Sequence, residues 1–315
     1  MNMRIRQLFS SYGFIFIMIL IFFGFSLSNR RFLELENIMI MLHSAVHMMI
    51  IASGLALVII TGNIDISIGS TTFIASTIGS ILMVRHGVPS IVALPIIMAT
   101  GAACGALNGF IVGVAKVNPF ITTLGMLFAL RGGALLILKG RSISISESLA
   151  NISHIRIGPV FIDILIALGV VFFVHLLRAR TLFGRHIVAC GGNAEVAKRL
   201  GIRVPKIIFF AFLLSGLFAS IGGILSVLQL KSVTLHMGVG FEFTGIAAIV
   251  IGGISLFGGR GKIIPGVLFG VITLAIIETG LIFLGASPYV YSFVRGGIIF
   301  VAMYLDSLRY KVYES

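Results

Sequence analysis

The chain has 315 residues, of which 58% are hydrophobic and only 10% charged, with a mean hydropathy of +1.15. Soluble domains carry about 25% charged residues, so too few polar side chains are present to cover a water-facing globule, and the class is integral membrane protein. The net charge of +13 would suggest nucleic acid in a soluble protein. Here no basic patch is interleaved with stacking aromatics, and basic residues of membrane proteins gather in cytoplasmic loops, so nucleic acid is excluded as a partner.

Hydrophobic runs near 20 residues long make helices the spanning elements, and the short alternating segments of a strand barrel are absent. The expected fold is an all-α polytopic membrane protein, with residues 1–315 forming a single transmembrane domain. About ten spans are expected near 12–28, 38–60, 66–84, 89–115, 120–138, 159–177, 206–229, 243–257, 263–284 and 288–306. The N-terminal MNMRIRQLFS is basic and precedes a long apolar run. No small-residue cleavage site follows, and residues 26–36 read SLSNRRFLELE, so it reads as an uncleaved first span.

His43 and His47 lie one helical turn apart in the second span, a spacing more often used for packing than for metal. Between the second and third spans stands TGNIDISIGS, residues 61–70. It places a carboxylate, Asp65, between Gly62 and Gly69, with Asn63, Ser67 and Ser70 nearby. Non-helical backbone at membrane depth is tolerated only where it is buried in protein or lines a cavity. Two readings stand side by side: a break that lines or supports a solute path, or one whose Asp65 and Ser67 cap the next helix.

Further along, GAACGALNGF (101–110), SGLFASIGGIL (215–225) and GVLFGVITLAIIETG (266–280) put small residues at four-residue spacing, which lets helices approach closely. Cys104 and Cys190 are the only cysteines and form no CxxC or His-paired pattern. Charges inside spans are Asp65, Arg131, Glu278 and Arg295. Such residues usually face a cavity or a partner helix. Glu278 and Arg295 sit on spans joined by the short turn LGASP and are placed to pair.

The connection 178–206, RARTLFGRHIVACGGNAEVAKRLGIRVPK, carries seven basic residues against one acid. It contains a short helix with both ends marked. Asn193 caps it, Glu195 lies in the first turn, Lys198 and Arg199 in the last, Gly201 provides the left-handed stop and Pro205 follows. Ala194, Ala197 and Leu200 share a face, with Val196 beside them. A helix this short needs something to hold it. An anionic membrane lipid surface and a groove on a cytoplasmic partner serve equally.

With the N-terminus inside, fourteen of the 23 Lys and Arg fall in cytoplasmic segments, seven outside and two within spans. That bias places both termini in the cytoplasm. No GxxxxGK[ST] occurs, and GGRGK at 258–262 lacks its spacing, so the chain has no phosphate cradle and no ATPase of its own. HExxH, GxSxG and clustered His/Cys ligands are also missing, which leaves transport rather than catalysis, with no cofactor and no metal.

These segments resemble the permease subunit of bacterial ABC importers of the ribose/xylose/galactose type. TGNIDISIGS resembles the family's Gly-Ile-Asp-Leu-Ser-Val-Gly-Ser signature. NGFIVGVAKVNPFITTLGML (108–127), FGRHIVACGGNAEVAKRLGI (183–202) and IAAIVIGGISLFGGRGKIIPGVLFG (246–270) resemble three further family blocks, in the right order. The first span and the 139–158 loop show little likeness.

The resemblance implies that 193–201 is a coupling helix seated in a separate ATP-binding cassette subunit, where the ATP would be bound. It implies a second permease copy, identical or not, with the path between the copies. It also implies a periplasmic sugar-binding protein and a place in the bacterial inner membrane. Asp65, Ser67, Ser70 and Asn63 would then offer hydrogen bonds to sugar hydroxyls along the path. With no Trp in the chain, ring stacking falls to Phe and Tyr, as suits a path that binds weakly. The rivals are a proton- or sodium-coupled carrier using Asp65 and Glu278, and an ABC permease for nucleosides or branched-chain amino acids.

Overall fold

The structure is a computed structural model and describes residues 3–314. Thirteen α-helices follow one another along these residues. Helix α1 spans Met3–Ser28, α2 Leu35–Ile60, α3 Ile68–His86, α4 Ser90–Gly113 and α5 Pro119–Leu138. After the short α6 (Glu147–Ala150) come α7 (Ile162–Arg180), α8 (Leu182–Gly192), α9 (Ala194–Arg199) and α10 (Val204–Leu230). Then follow α11 (Phe241–Ile251), α12 (Leu268–Phe283) and α13 (Pro288–Glu314).

Seven helical stretches are long and apolar enough to cross a membrane, and Ile15–Ser28, Phe241–Ile251 and Tyr289–Val301 are shorter apolar helices. Together they fall on the ten segments expected from the sequence. The eighth expected span, 243–257, needs correction: its helix stops at Ile251. At 1.5 Å per residue its 11 residues reach about 16 Å, half of a bilayer core of about 30 Å. Gly252 and Gly253 end it, and Gly253, Gly258, Gly259 and Gly261 all take positive φ, so the chain runs non-helically to Lys262.

Helix α2 is the centre of the molecule. Every residue from Met48 to Ile60 is buried, enclosed by α7, α10, α11 and α12. Its apolar side chains form the main core with Ala247, Ala248 and Ile249 of α11 and Val271, Leu274 and Ile276 of α12. A second core joins Phe73 and Ile74 of α3 to Ala134 and Leu138 of α5 and to Val233 and Met237.

Helices α4 and α10 run antiparallel along a glycine seam. A Cβ on Gly109 would lie 2.7 Å from the Phe209 carbonyl oxygen, and one on Gly113 2.8 Å from that of Pro205. Gly105 meets the Phe212 carbonyl in the same way. The four-residue spacing read in the sequence is thus a backbone-to-backbone contact, the geometry small residues permit between membrane helices.

One end of the bundle is capped. Strand β1 (Ile143–Ser144) pairs antiparallel with β4 (Ser232–Val233), and β2 (Arg156–Ile157) with β3 (Val160–Phe161). At this end Arg156 forms a two-bond ion pair with Glu36 at 2.8 and 2.9 Å. Beneath it the His43 Nδ1 lies 2.8 Å from Asp163 Oδ2, which also accepts from Gln229 Nε2. This ties α2, α7 and α10 together. The opposite end carries the turns at 61–62, 181–203 and 252–262 and is rich in glycine.

Candidate functional site: a polar break, a re-entrant segment and a projecting helix

Helix α2 ends at Thr61–Gly62, where Gly62 takes φ +79°. The chain then climbs back into the bundle without helical bonds until α3 begins at Ile68. Asp65 sits on this climb, 2% exposed. Its Oδ1 accepts from the Ser67 amide at 3.0 Å and the Ser67 hydroxyl at 2.7 Å, and its Oδ2 from Ser215 of α10 at 3.3 Å. Asn108 of α4, itself fully buried, donates to the Ser67 hydroxyl at 2.8 Å. Three donors on this buried carboxylate offset part of the cost of its desolvation.

The break thus brings Asp65 and Ser67 together and adds two partners the sequence reading missed, Asn108 and Ser215. Ser70 is buried in the first turn of α3, and its hydroxyl has no hydrogen-bond partner among the described residues. Asn63 turns away, donating to the Thr61 hydroxyl at 2.9 Å. Ser67 precedes α3 without capping it through its side chain.

A second segment also enters the bundle. After β4, residues 234–240 descend from the capped end until Gly238 packs against Gly69 at the start of α3. Thr72, one turn further along α3, donates to the Ala219 carbonyl in the middle of α10, which sets the depth. Helix α11 therefore starts inside the bundle. Its first turn holds Glu242, 7% exposed, a buried acid the sequence reading missed because it placed the span from residue 243. Arg131 reaches the same segment, donating to the Met237 carbonyl at 3.1 Å while lying over the Phe73 ring.

Beside the start of α11 lies a cavity of about 160 Å³, lined from α2, α11, α12 and α13. Glu278 and Arg295 form part of its wall. The expected pairing is present, with Arg295 Nη2 2.5 Å from Glu278 Oε1. His47 lines the same cavity, its ring 5.2 Å from that of Phe241, whereas His43 is engaged with Asp163. Among the described residues no group of three or more His, Cys, Asp or Glu side chains could hold a metal ion.

At the glycine-rich end, the 178–206 connection is more ordered than its sequence suggested. Thr181 starts α8, its hydroxyl accepting from the Gly184 amide at 3.1 Å and donating to the Leu177 carbonyl. Asn193 then caps α9, its Oδ1 accepting from the Val196 amide at 3.0 Å, and Gly201 takes φ +82° after the helix. Ala197 alone of the shared face packs inward, at 1% exposure. Leu200 is 74% exposed and Val196 49%, with Ala194 also open. Glu195 and Arg199 form an exposed pair at 3.7 Å, with Lys198 alongside. Cys190 on α8 is buried, which pushes its thiol above the ordinary cysteine range.

This module is locked to the polar break by backbone contact. The Gly259 amide donates to the Ile60 carbonyl at 2.9 Å. A Cβ on Gly258 would lie 2.7 Å from the Gly62 backbone, and one on Gly259 2.8 Å from Gly192. Gly191 abuts the Ile60 carbonyl. The end of α2, the end of α8 and the 252–262 loop therefore meet with no side chain between them.

Re-entrant segments inside a helical bundle, buried charges at mid-depth and a projecting helix anchored to the polar break define a polytopic membrane permease. Family comparison agrees: the description "Branched-chain amino acid transport system / permease component" matches residues 37–303, and the chain belongs to this permease family. The ribose import permease protein RbsC of Escherichia coli (strain K12) is 34% identical over 89% of this chain and 88% of its own. The galactose/methyl galactoside import permease protein MglC of Salmonella typhimurium is 33% identical over 95% and 94%. The fructose import permease protein FrcC of Rhizobium meliloti is 32% identical over 95% and 85%. No solved structure matches. These relatives favour the importer-permease reading over an ion-coupled carrier.

Proposed function

We propose that this chain is the transmembrane subunit of an ABC importer in the bacterial inner membrane, carrying a monosaccharide or similar small polyol. The observation that carries the reading is the α8–α9 module: a capped helix presenting Val196 and Leu200 outward and fixed by glycine contacts to the end of α2 and the break at Asp65. An apolar pair exposed on a short basic helix fits a groove in a second protein. Sugar import comes from the relatives, which are named as ribose, galactose and fructose import permeases.

In this reading α9 seats in an ATP-binding cassette subunit, which binds the ATP. The glycine-rich end is cytoplasmic, a placement the excess of basic residues there supports, and both termini lie on that side. The capped end faces the periplasm and receives solute from a sugar-binding protein. A second permease copy, identical or not, completes the path. The 63–70 stretch supports that path, and because Asp65 is enclosed here, its contact with solute requires the surrounding helices to part.

The test is co-expression with the neighbouring ATPase subunit and co-purification in detergent. Leu200→Asp and charge reversal at Glu195 and Arg199 should weaken a complex that the unaltered chain forms. An ATPase that binds equally well to these variants, or binds under no condition, would sink the coupling role. Uptake in an Asp65→Asn variant that still assembles separates the two roles of the break: lost transport supports the path, retained transport leaves the carboxylate to the framework.

A further inference from the structure

We infer that the cavity beside α11 is a binding site for a small uncharged polyol on its way through the bundle, with Glu278 and Arg295 as its polar groups and His47 and Phe241 as its wall. The inference rests on the import function proposed above and assigns residues to it that the Asp65 signature does not contain.

The ion pair points to a ligand site because of where it stands. Glu278 lies two-thirds of the way along α12, inside an apolar span, and Arg295 in the apolar stretch of α13, yet their side chains remain 41% and 26% exposed. Charged side chains inside spans face an aqueous cavity or a partner rather than lipid. The cavity supplies that surface, and it is lined by Val239, Phe241 and Thr244 at the re-entrant start of α11, a place where non-helical backbone at membrane depth is tolerated beside a cavity.

The chemistry then selects the ligand class. A carboxylate accepts about four hydrogen bonds and a guanidinium donates five, more than one mutual contact uses. Together they offer both acceptors and donors, as hydroxyl groups require. The two paired charges cancel, so the site offers no net attraction to a cation or an anion and suits neutral polar solutes. Ser44 and Thr244 add hydroxyls to the lining, and the His47 and Phe241 rings, 5.2 Å apart and tilted 30°, give it an aromatic side. At about 160 Å³ the cavity falls below the roughly 300–1,000 Å³ of drug-sized sites, so the solute is small.

The experiment uses the assembled importer in right-side-out vesicles, with D-ribose, D-galactose and D-fructose as probes. Uptake of each sugar is measured first, and then labelling of Thr244→Cys by a membrane-impermeant maleimide, with and without the transported sugar. Ser44→Cys serves as a second site, and the unaltered chain gives the background from Cys104 and Cys190.

The expected result is labelling at residue 244 or 44 that the transported sugar suppresses. Adding Glu278→Gln should leave labelling intact while raising the sugar concentration needed for protection about tenfold or more, the loss expected of one charge-assisted hydrogen bond. A complex that takes up none of the three sugars overturns the sugar reading and this assignment with it. A complex that takes up one, but in which neither cysteine is protected by it, or in which Glu278→Gln leaves protection unchanged, overturns the cavity assignment alone.

Discussion

Asp65 is held by residues that lie far from it in the chain. Ser67 is two positions away, but Ser215 is 150 positions away, and Asn108 reaches it through Ser67 from a different helix. The carboxylate was therefore visible in TGNIDISIGS as an anomaly, while its partners were not, because nothing local marks a serine in an apolar helix as a donor. The Asn193 cap was legible, because capping depends only on the three residues that follow. Glu242 was hidden by a misplaced helix start. Ser215→Ala removes one donor and should cost about 0.6 kcal/mol, the mean for interhelical hydrogen bonds in membrane proteins. Asp65→Ala orphans several donors and should cost more, each buried unsatisfied group contributing about 1–3 kcal/mol. Thermal unfolding in detergent ranks them, and equal midpoints would contradict the network. Cys190 should resist thiol reagents at neutral pH, since its raised pKa leaves little thiolate. Rapid modification in the folded protein would show the site to be open.

At the scale of elements, the spans were legible because length and hydropathy are summed properties. The glycine seams were legible as spacing but not as pairings. Gly101, Gly105, Gly109 and Gly113 could have faced any helix, and only the folded bundle assigns them to α10. Gly105→Leu should therefore drive α4 from α10, at about 1–3 kcal/mol or more of overpacking, and reduce the yield of folded permease. Leucine at Gly125, which has open space around it, should be tolerated. Equal yields of the two variants would argue against a tight seam. Helix α11 was misread in length because its apolar run continues past the point where glycines end the helix. Helix α8 was read as loop because its glycines and basic residues resemble a connection.

For the molecule as a whole, composition decided the class, and the bias of basic residues, fourteen against seven, is what the proposed orientation rests on. Fusing a cytoplasm-active reporter to either terminus should give signal, and a periplasm-active reporter should give none. A reversed pattern would invert the assignment of the capped end. The four short strands that build that cap were not legible, because strands of two residues carry no periodicity.

The enclosure of α2 bears on how the chain is made. It leaves the ribosome well before α7, α10, α11 and α12, which wrap it: α2 ends at Ile60, whereas α7 begins only at Ile162 and α12 ends at Phe283. A soluble protein in that position would expose a sticky surface to water throughout the delay. Lipid tails are as apolar as the side chains of Met48–Ile60, so the bilayer can solvate α2 until its neighbours arrive. The driving force for the final wrapping must then come from close backbone contact and interhelical hydrogen bonds, which places the glycines and the Asp65 network among the last features to form during biogenesis.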